Sequence, residues 1–281
     1  MAIRKWHLKA IVQKCISVFP NPERVNNVFQ RHVTQGIELD DDHFGYKIEH
    51  ARDHISYVRR YLNTEQELEI LELGTGWYPI IPISMYLSKV GKVTSIDIQS
   101  WLTKESFITA LRKFKEWREL DKLSLFLTEI DDSRWSQLMS IEAEPGHFSL
   151  EEINEIIGLQ TLLLDARDTD LPEDSFDFIC SNNTFEHVYP EVLKGILTEF
   201  KRLLRPEGLM SHFIDLSDHF AHFDESISIY NFLKYSKKRW RIIDNSIQPQ
   251  NRLRWKEYLD MYGSVGLPIT EEETRKGNLD L

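Results

Sequence analysis

A short buried-strand pattern followed at once by two closely spaced glycines is the feature that most restricts the fold of this 281-residue chain. The apolar run Glu69–Leu73 precedes a Gly-Thr-Gly loop at residues 74–76, and a helix-length segment, Ile80–Val90, follows. A second β-rich run, Lys92–Ile98, comes directly after that helix. Strand, helix and strand in this order predict a βαβ unit and therefore a parallel sheet.

Three later apolar runs predict further buried strands: Leu162–Leu164, Phe176–Cys180 and Leu209–Ile214. Helices are predicted around them, over Tyr46–Tyr61, Ser106–Leu120 and Glu191–Leu204, and from Ser149, where Glu152 completes a capping box. We also expect a turn at Arg205–Gly208 and a sixth strand at Leu267–Thr270, and we place no seventh strand in Lys276–Leu281. This alternation predicts an α/β fold with a doubly wound, Rossmann-like sheet.

The flanking segments predict the domain organisation. Residues 1–68 are predicted to form a helical N-terminal cap, whose first helix follows the apolar positions from Leu8 to Phe19 and ends at Pro20 and Pro22. Residues 69–281 are predicted to form one sheet-based domain. Within it, residues 100–158 are too long for a simple crossover, so we predict a lid-like insertion after the second strand.

The charge balance restricts the partners. The chain has 34 basic and 45 acidic residues and a net charge of −11, which disfavours a nucleic-acid partner. No apolar run is long enough for a membrane-spanning helix, and no signal peptide is recognised after Met1. Because Cys15 and Cys180 cannot build a disulfide framework, we expect a reducing, cytoplasmic location.

The residues around the glycines indicate which ligand the loop holds. Asp97 ends the next strand, where a carboxylate can accept both hydroxyls of a ribose. Pro79 stands where a dinucleotide fingerprint has its third glycine, and it removes an N–H that would bind a phosphate. Glu72 adds a negative charge that suits a cation better than a diphosphate. A ligand with a ribose and a positive charge but no phosphate fits this set, and S-adenosylmethionine meets that description.

Five blocks of sequence carry a family resemblance. They read E-L-G-T-G at 72–76, L-D-A at 164–166, L-P-E-D-S-F-D at 171–177, S-N-N-T-F-E-H-V at 181–188 and L-L-R-P-E-G at 203–208. In this order the blocks resemble the class I S-adenosylmethionine-dependent methyltransferases, in the branch called type 11. The resemblance extends over roughly residues 69–266.

That resemblance implies the residues of the donor site. Asp97 would bind the ribose, Asp165 the adenine amino group, and the N–H of Ala166 the adenine ring. The predicted cofactor-binding residues are Glu72, Gly74, Thr75, Gly76, Asp97, Ile98, Asp165, Ala166, Ser181 and Asn182.

Histidines after two of the strands are the candidates for acid–base chemistry, because a hydroxyl acceptor must lose a proton during methyl transfer. His187 follows the fourth strand, and Asp215 and His219 follow the fifth; we predict these three as catalytic residues. With His212, Asp218 and His222, the group after the fifth strand would also suit a divalent metal, a His–Asp base pair or a solvated loop. These alternatives stay open, and we predict no metal ligands.

Other polar residues have weaker candidate roles. Arg52 or His54, on the helix before the glycine loop with His50, could bind the methionyl carboxylate or face solvent. Asn251 and Arg254 could contact an acceptor or cap a helix. The basic, amphipathic first helix could cover the active site, contact a second copy in a homodimer, or lie on an anionic membrane surface.

We therefore predict an S-adenosylmethionine-dependent methyltransferase of small-molecule biosynthesis, with oxygen as the acceptor atom and nitrogen as the nearest alternative. A non-catalytic partner protein with the same fold is a rival from another class, against which the intact Glu72 and Asp97 argue. A nicotinamide oxidoreductase is a second rival, which Pro79 disfavours. Residues 182–185 read N-N-T-F and lack the D/N-P-P-Y motif typical of nucleic-acid amino-methyltransferases.

Overall fold

A computed structural model describes residues 4–17, 38–63 and 65–275 of the chain. Its five-stranded sheet is parallel throughout, in the order β3-β2-β1-β4-β5. The strands are β1 (Leu68–Leu73), β2 (Gly91–Asp97), β3 (Leu159–Leu163), β4 (Phe176–Asn182) and β5 (Leu204–Phe213). The strand order reverses between β1 and β4, which is the switch point of a doubly wound sheet. The predicted Rossmann-like α/β fold is confirmed.

Helices precede, connect and follow the strands. In the described ranges they are α1 (Lys5–Ile16), α2 (Asp41–Tyr61), α3 (Ile80–Leu87), α4 (Lys104–Glu119), α5 (Asp132–Ala143), α6 (Leu150–Ile157), α7 (Pro190–Leu203), α8 (Lys237–Ile243) and α9 (Trp255–Ser264). The predicted capping box of α6 is present, with Ser149 Oγ accepting from the N–H of Glu152 at 3.1 Å. None of these helices is both long and apolar enough to cross a membrane.

The sheet is covered on both faces, as its sequence requires. Its central strands β1 and β4 are apolar on both sides, and Ile70, Leu71 and Phe178 are fully buried. Phe44 of α2 packs edge-on against Phe114 of α4, with ring centroids 5.0 Å apart. The strands that lead to the carboxyl edge of the sheet are therefore held in a close-packed core.

The chain divides into two compact units. One comprises Leu39–Asn182 and Thr198–Phe213 and holds the whole sheet, with α2 and β1 together in it. The other comprises the described parts of Met1–Glu38, Asn183–Leu197 and Ile214–Leu281. This second unit has an apolar core of its own, which includes Trp6, Phe220, Phe232 and Trp240. The domain boundary predicted between residues 68 and 69 stays a prediction.

Two predictions about the later part of the chain are wrong. Leu267–Thr270 is not a strand; it follows α9 as irregular chain, and most of its side chains are exposed, so no apolar face holds it in a sheet. Arg205–Gly208 is not a turn but part of β5. There Phe176 pairs with Leu204 and Phe178 with Leu209, so the proline and glycine are accommodated as a bulge rather than as a chain reversal. Pro20, Pro22 and Lys276–Leu281 lie outside the described residues.

Candidate functional site

The loop between β1 and α3 needs its glycines for the path of the backbone. Gly74 and Gly76 have φ angles of 78° and 70°, in the left-handed region that residues with a side chain rarely adopt. A β-carbon added at Gly76 would meet no atom within 4 Å. The loop is therefore open beside Gly76, where a ligand can approach the backbone closely.

A buried carboxylate belongs to the same loop. Glu72, next to the last residue of β1, is only 2% exposed. It accepts a hydrogen bond from Thr75 Oγ1, and that hydroxyl lies 2.6 Å from Ser95 Oγ of β2. Burial raises the pKa of Glu72 to about 7, although the hydrogen bond from Thr75 lowers it. A bound cation would favour the ionised form of this carboxylate and be stabilised by it.

Asp97, the last residue of β2, is held by the turn that follows it. Its Oδ1 accepts a hydrogen bond from the N–H of Gln99 at 3.3 Å. Burial raises the pKa of Asp97, and hydrogen bonds from the turn and from Trp101 partly offset this effect. The neighbouring Ile98 is 77% exposed, so an apolar side chain stands free beside the acid. This pair offers one polar and one apolar contact, as the predicted nucleoside contacts require.

Asp165 carries an ion pair that the sequence analysis did not anticipate. The guanidinium of Arg167 donates to both carboxylate oxygens, at 2.9 Å from Nε to Oδ1 and 2.5 Å from Nη2 to Oδ2. This hydrogen bonding lowers the pKa of Asp165 to about 2. The side chain is about half exposed, whereas the adjoining Ala166 is buried. An adenine amino group would share the carboxylate with Arg167, so Arg167 joins the candidate residues.

Ser181 and Asn182, at the carboxyl end of β4, belong to a buried polar network. The Nε2–H of His54 donates to Asn182 Oδ1 at 3.0 Å, and Nδ1 of His54 accepts from Ser211 Oγ at 2.9 Å. His212 Nδ1 lies 2.9 Å from Ser181 Oγ. Burial lowers the pKa of His54 to about 4 and that of His212 to about 3. Both imidazoles are therefore neutral at pH 7, and they fix the polar end of β4.

The candidates on helix α2 have other partners. Arg52 forms ion pairs with Glu49 at 3.2 Å and Asp53 at 2.7 Å on its own helix. His50 stacks on the ring of Phe213, with centroids 3.4 Å apart. His54 is buried and does not face solvent. No sequence signal indicated the contacts of His54, because 128 residues separate it from Asn182.

In the other unit, acidic and imidazole side chains form a separate cluster. Ligand atoms of Glu186, His187 and His219 lie within 4.8 Å of one another. His219 Nε2 is 3.3 Å from Asp215 Oδ2, and the rings of His187 and His219 are 4.8 Å apart. The structure thus brings the three predicted catalytic residues together. Glu186 was missed as a site residue, although it stands beside His187 in the E-H-V block.

Burial and charge set the ionisation of this cluster. Burial raises the pKa of Glu186 to about 7, although the charge of His219 and the amide of Asn183 lower it. Burial also raises the pKa of Asp215, but its contact with His219 outweighs burial and holds the value well below the ordinary range. Conversely, burial lowers the pKa of His219, and Asp215 more than reverses that shift. Asp215 and His219 therefore behave as a coupled acid–imidazole pair.

The rest of the histidine group after β5 does not stay together. His212 belongs to the sheet unit. Asp218 accepts from the N–H of Phe220 at 2.9 Å and from Asn231 Nδ2 at 3.2 Å, which shapes its own loop. His222 Nε2 lies 2.8 Å from Ser217 Oγ and 3.7 Å from Asp215, at the edge of the cluster.

Asn251 and Arg254 act on the backbone of the second unit. Asn251 Nδ2 donates to the carbonyl oxygens of Phe185 and Val188, each at 2.8 Å. Arg254 Nη1 donates to the carbonyl oxygen of Leu216. Asn251 therefore clamps both ends of the 3₁₀ turn that carries Glu186 and His187.

A segment that begins within the predicted insertion and ends in β5 matches a known family. Residues 127–211 match the sequence model of a family described as "Methyltransferase domain". The matched range includes β3, β4 and Asp165, and it ends within β5. The glycine loop at residues 72–76 lies before it.

Solved structures with a similar chain path come from several organisms. The complex of the Haloferax volcanii Trm112 methyltransferase activator with a proposed methyltransferase has 15% identity and a TM-score of 0.45, and the match covers 84% of this chain and 76% of that one. A proposed methyltransferase from Bacillus halodurans has 14% identity and a TM-score of 0.41, covering 76% and 68%. A proposed sarcosine dimethylglycine methyltransferase from Galdieria sulphuraria has 13% identity and a TM-score of 0.34, covering 58% of this chain and only 44% of that protein. Similarities at this level identify neither substrate nor partner.

Proposed function

We propose that this chain, whose residues 127–211 match a methyltransferase-domain family, is a class I S-adenosylmethionine-dependent methyltransferase. It would transfer a methyl group from S-adenosylmethionine to the oxygen of a small-molecule acceptor. The observation that carries the donor half of this proposal is the buried carboxylate of Glu72 beside an open loop with two left-handed glycines. Burial makes the ionised form of such a carboxylate unfavourable, and a cation that binds beside it stabilises that form.

The residues of the glycine loop fit the proposed donor. S-adenosylmethionine, when bound, supplies an electrophilic methyl group on a positively charged sulfur. Glu72 would stabilise a positive group of that ligand, and Asp97 would accept the ribose hydroxyls. The open backbone at Gly76 would allow the methionyl part to approach. Arg167 would compete with adenine for Asp165.

For a hydroxyl acceptor, the chain must also supply a base. His187, His219 and Asp215 are our candidates, because Asp215 lies 3.3 Å from His219 and can orient its ring and stabilise it when it is protonated. The methyl group would pass from sulfur to the acceptor oxygen, and the hydroxyl proton would pass to the base. With a neutral amine as acceptor the base matters less, so N-methylation is the second candidate reaction.

The setting of this reaction is part of the same proposal. We place it in the cytoplasm. We propose a small molecule rather than nucleic acid as the acceptor, because the chain carries a net charge of −11. Homodimer formation and weak contact of α1 with a membrane surface are further proposals. In favour of the latter, Leu8 and Ile11 are more than half exposed on this basic helix.

Calorimetric titration with S-adenosylhomocysteine and with NAD tests the donor half. We expect micromolar binding of the former, no binding of the latter, and at least tenfold weaker binding in Asp97→Ala. Asp132→Ala is the matched control, because Asp132 is 88% exposed in the same unit. If the protein binds neither S-adenosylhomocysteine nor NAD, the enzyme assignment is contradicted and a non-catalytic partner protein is favoured. Binding of NAD alone would favour an oxidoreductase.

A further inference from the structure

Glu186 is a buried carboxylate of the second unit. Its side chain is 2% exposed, and neither carboxylate oxygen lies in hydrogen-bonding geometry with a described donor. Buried carboxylates are normally satisfied by several donors or by a cation. Ligand atoms of the His187 and His219 imidazoles lie within 4.8 Å of the carboxylate, and the Asn183 amide is a further polar neighbour.

The tautomer of His187 is fixed by a backbone contact. Its Nδ1 lies 2.8 Å from the carbonyl oxygen of Pro249. A carbonyl oxygen accepts only, so Nδ1 carries the hydrogen and donates it. In the neutral ring Nε2 therefore bears a lone pair. A metal-binding histidine is commonly held in this way, with one nitrogen bonded to a carbonyl and the other available as a ligand.

The distance between His219 and Asp215 has a second meaning. Nε2 and Oδ2 are 3.3 Å apart, and Nε2 is not in hydrogen-bonding geometry. Two ligand atoms that are each about 2.1 Å from one ion, at an angle of about 90–110°, lie about 3.0–3.4 Å apart. The observed spacing, which suits an acid–imidazole pair, therefore also fits two adjacent ligands on one metal ion.

We propose that Glu186, His187, His219 and Asp215 form a binding site for a divalent transition-metal ion. The site supplies two imidazole nitrogens and two carboxylates, a mixture that suits Zn²⁺, Fe²⁺ or Co²⁺ and disfavours Mg²⁺, which takes oxygen ligands. Glu186, His187 and His219 have ligand atoms within 4.8 Å of one another, and Asp215 joins them through its 3.3 Å contact with His219. Binding of an ion draws these atoms inward. The ion neutralises the carboxylate that the cluster now leaves without a donor.

Neighbouring contacts already orient these ligands. Asn251 holds the turn that carries Glu186 and His187, through its two bonds to carbonyl oxygens. The N–H of Ser217 donates to Asp215 Oδ1 at 2.8 Å and leaves Oδ2 directed toward His219. Such supporting bonds around the ligands stabilise metal sites. Their presence distinguishes the cluster from a chance meeting of acidic side chains on the surface.

Only the catalytic role of this metal site rests on the proposed function; the binding of the ion does not. An ion here would replace a free imidazole as the group that activates an acceptor hydroxyl, because a bound metal lowers the pKa of a coordinated hydroxyl. Metal binding itself requires no turnover and no methyl donor, so the two proposals can fail separately.

The test is calorimetric titration of metal-stripped protein with Zn²⁺, and in parallel with Mg²⁺. We expect one Zn²⁺ site per chain, no Mg²⁺ binding, and at least tenfold weaker Zn²⁺ binding in Glu186→Gln and, separately, in His219→Gln. Glu144→Gln and His147→Gln carry the same substitutions at side chains that are 66% and 74% exposed, and should bind as the wild type does. Co²⁺ absorption in the visible range reports the coordination geometry of the bound ion independently.

Two outcomes overturn the metal site: no Zn²⁺ binding to the wild type, or equal binding by the site variants and the controls. Circular dichroism and thermal melting of each apo variant identify any that fails to fold, in which case the other variant decides. S-adenosylhomocysteine titration of the same samples separates this failure from that of the proposed function. Donor binding with no Zn²⁺ site contradicts the metal inference alone, whereas a Zn²⁺ site without donor binding contradicts the proposed function alone.

Discussion

Nε2 of His54 lies 3.0 Å from Oδ1 of Asn182, although 128 residues separate the two in sequence. The contact joins helix α2 to the carboxyl end of β4, next to the switch point where the sheet reverses its winding. It places a neutral, doubly hydrogen-bonded imidazole under the edge of the sheet where doubly wound folds bind ligands. The polar end of β4 is therefore fixed by a helix that precedes the glycine loop.

This burial makes the protein sensitive to acid. The pKa of His54 is about 4 when folded, against 6.5 as its ordinary value, because burial disfavours the charged ring, with Lys47 and Asp53 as the charged neighbours. The unfolded chain therefore binds the proton first, so stability is complete above pH 6.5 and falls as the pH drops toward about 4. We expect a loss of about 2–4 kcal/mol from this residue. His212 adds a loss in the same direction.

Urea unfolding at several pH values between 7.5 and 4.5 measures this effect. His54→Gln should be less stable than the wild type at pH 7.5 but should lose less stability on acidification. The control is His147→Gln, whose parent side chain is 74% exposed, and it should keep the wild-type slope. An unchanged slope in His54→Gln would contradict the assignment.

The ionised carboxylate of Glu72 should lower the stability of the free protein and strengthen donor binding. Its pKa is about 7 when folded, against 4.5 ordinarily, so its contribution to stability is complete below pH 4.5 and is lost as the pH rises through about 7. We expect Glu72→Gln to be more stable than the wild type at pH 8, by about 1–3 kcal/mol, and equally stable at pH 4.5.

The same variant should bind S-adenosylmethionine at least tenfold more weakly at pH 8, where the native carboxylate is ionised. Thermal melting and calorimetric titration of one preparation measure both effects. Glu69→Gln removes an exposed carboxylate from the same strand and should change neither. Weaker binding with no gain in stability would show that the ionised carboxylate of Glu72 does not destabilise the free protein.

Gly76 should resist replacement for reasons of backbone geometry alone. At its φ of 70°, a side chain is strained by about 1–2 kcal/mol, although a β-carbon there would meet no atom within 4 Å. We expect Gly76→Ala to destabilise the protein by that amount and to weaken donor binding. Gly263→Ala is the matched comparison, because its β-carbon also meets nothing within 4 Å but the residue lies in α9. In that helix alanine should stabilise the protein by about 0.5–1 kcal/mol. Equal effects at both positions in chemical denaturation would refute the strain argument.

Asn251 should stabilise the turn that carries Glu186 and His187. Asn251→Ala leaves the carbonyl oxygens of Phe185 and Val188 without their side-chain donor. We expect a loss of about 2–3 kcal/mol in urea unfolding, because two hydrogen bonds are lost and an acceptor left without a donor is no longer compensated for its removal from water. The carbonyl of Phe185 keeps only the N–H of Val188 as a donor. Asn63→Ala, at an exposed position, should change stability by less than about 0.5 kcal/mol. Full retention of stability in Asn251→Ala would show that the turn holds itself.

The sequence by itself determined the elements and their order. Apolar runs of strand length, the capping box at Ser149 and the Gly-Thr-Gly loop are local signals, because backbone conformation and burial pattern depend on residues that are close in sequence. From these, the parallel sheet, its doubly wound class and the glycine loop between its first strand and helix could be predicted. The same signals misled at Arg205–Gly208, since proline and glycine mark a bulge as readily as a turn.

Only the tertiary structure decided which polar side chains share a site. It brought Glu186 beside His219, 33 residues later in the sequence (219 minus 186). It also joined His54 to Asn182, 128 residues away, and buried Glu72 beneath its loop. Such contacts and pKa shifts depend on distance and desolvation in three dimensions, and no short stretch of sequence encodes these quantities.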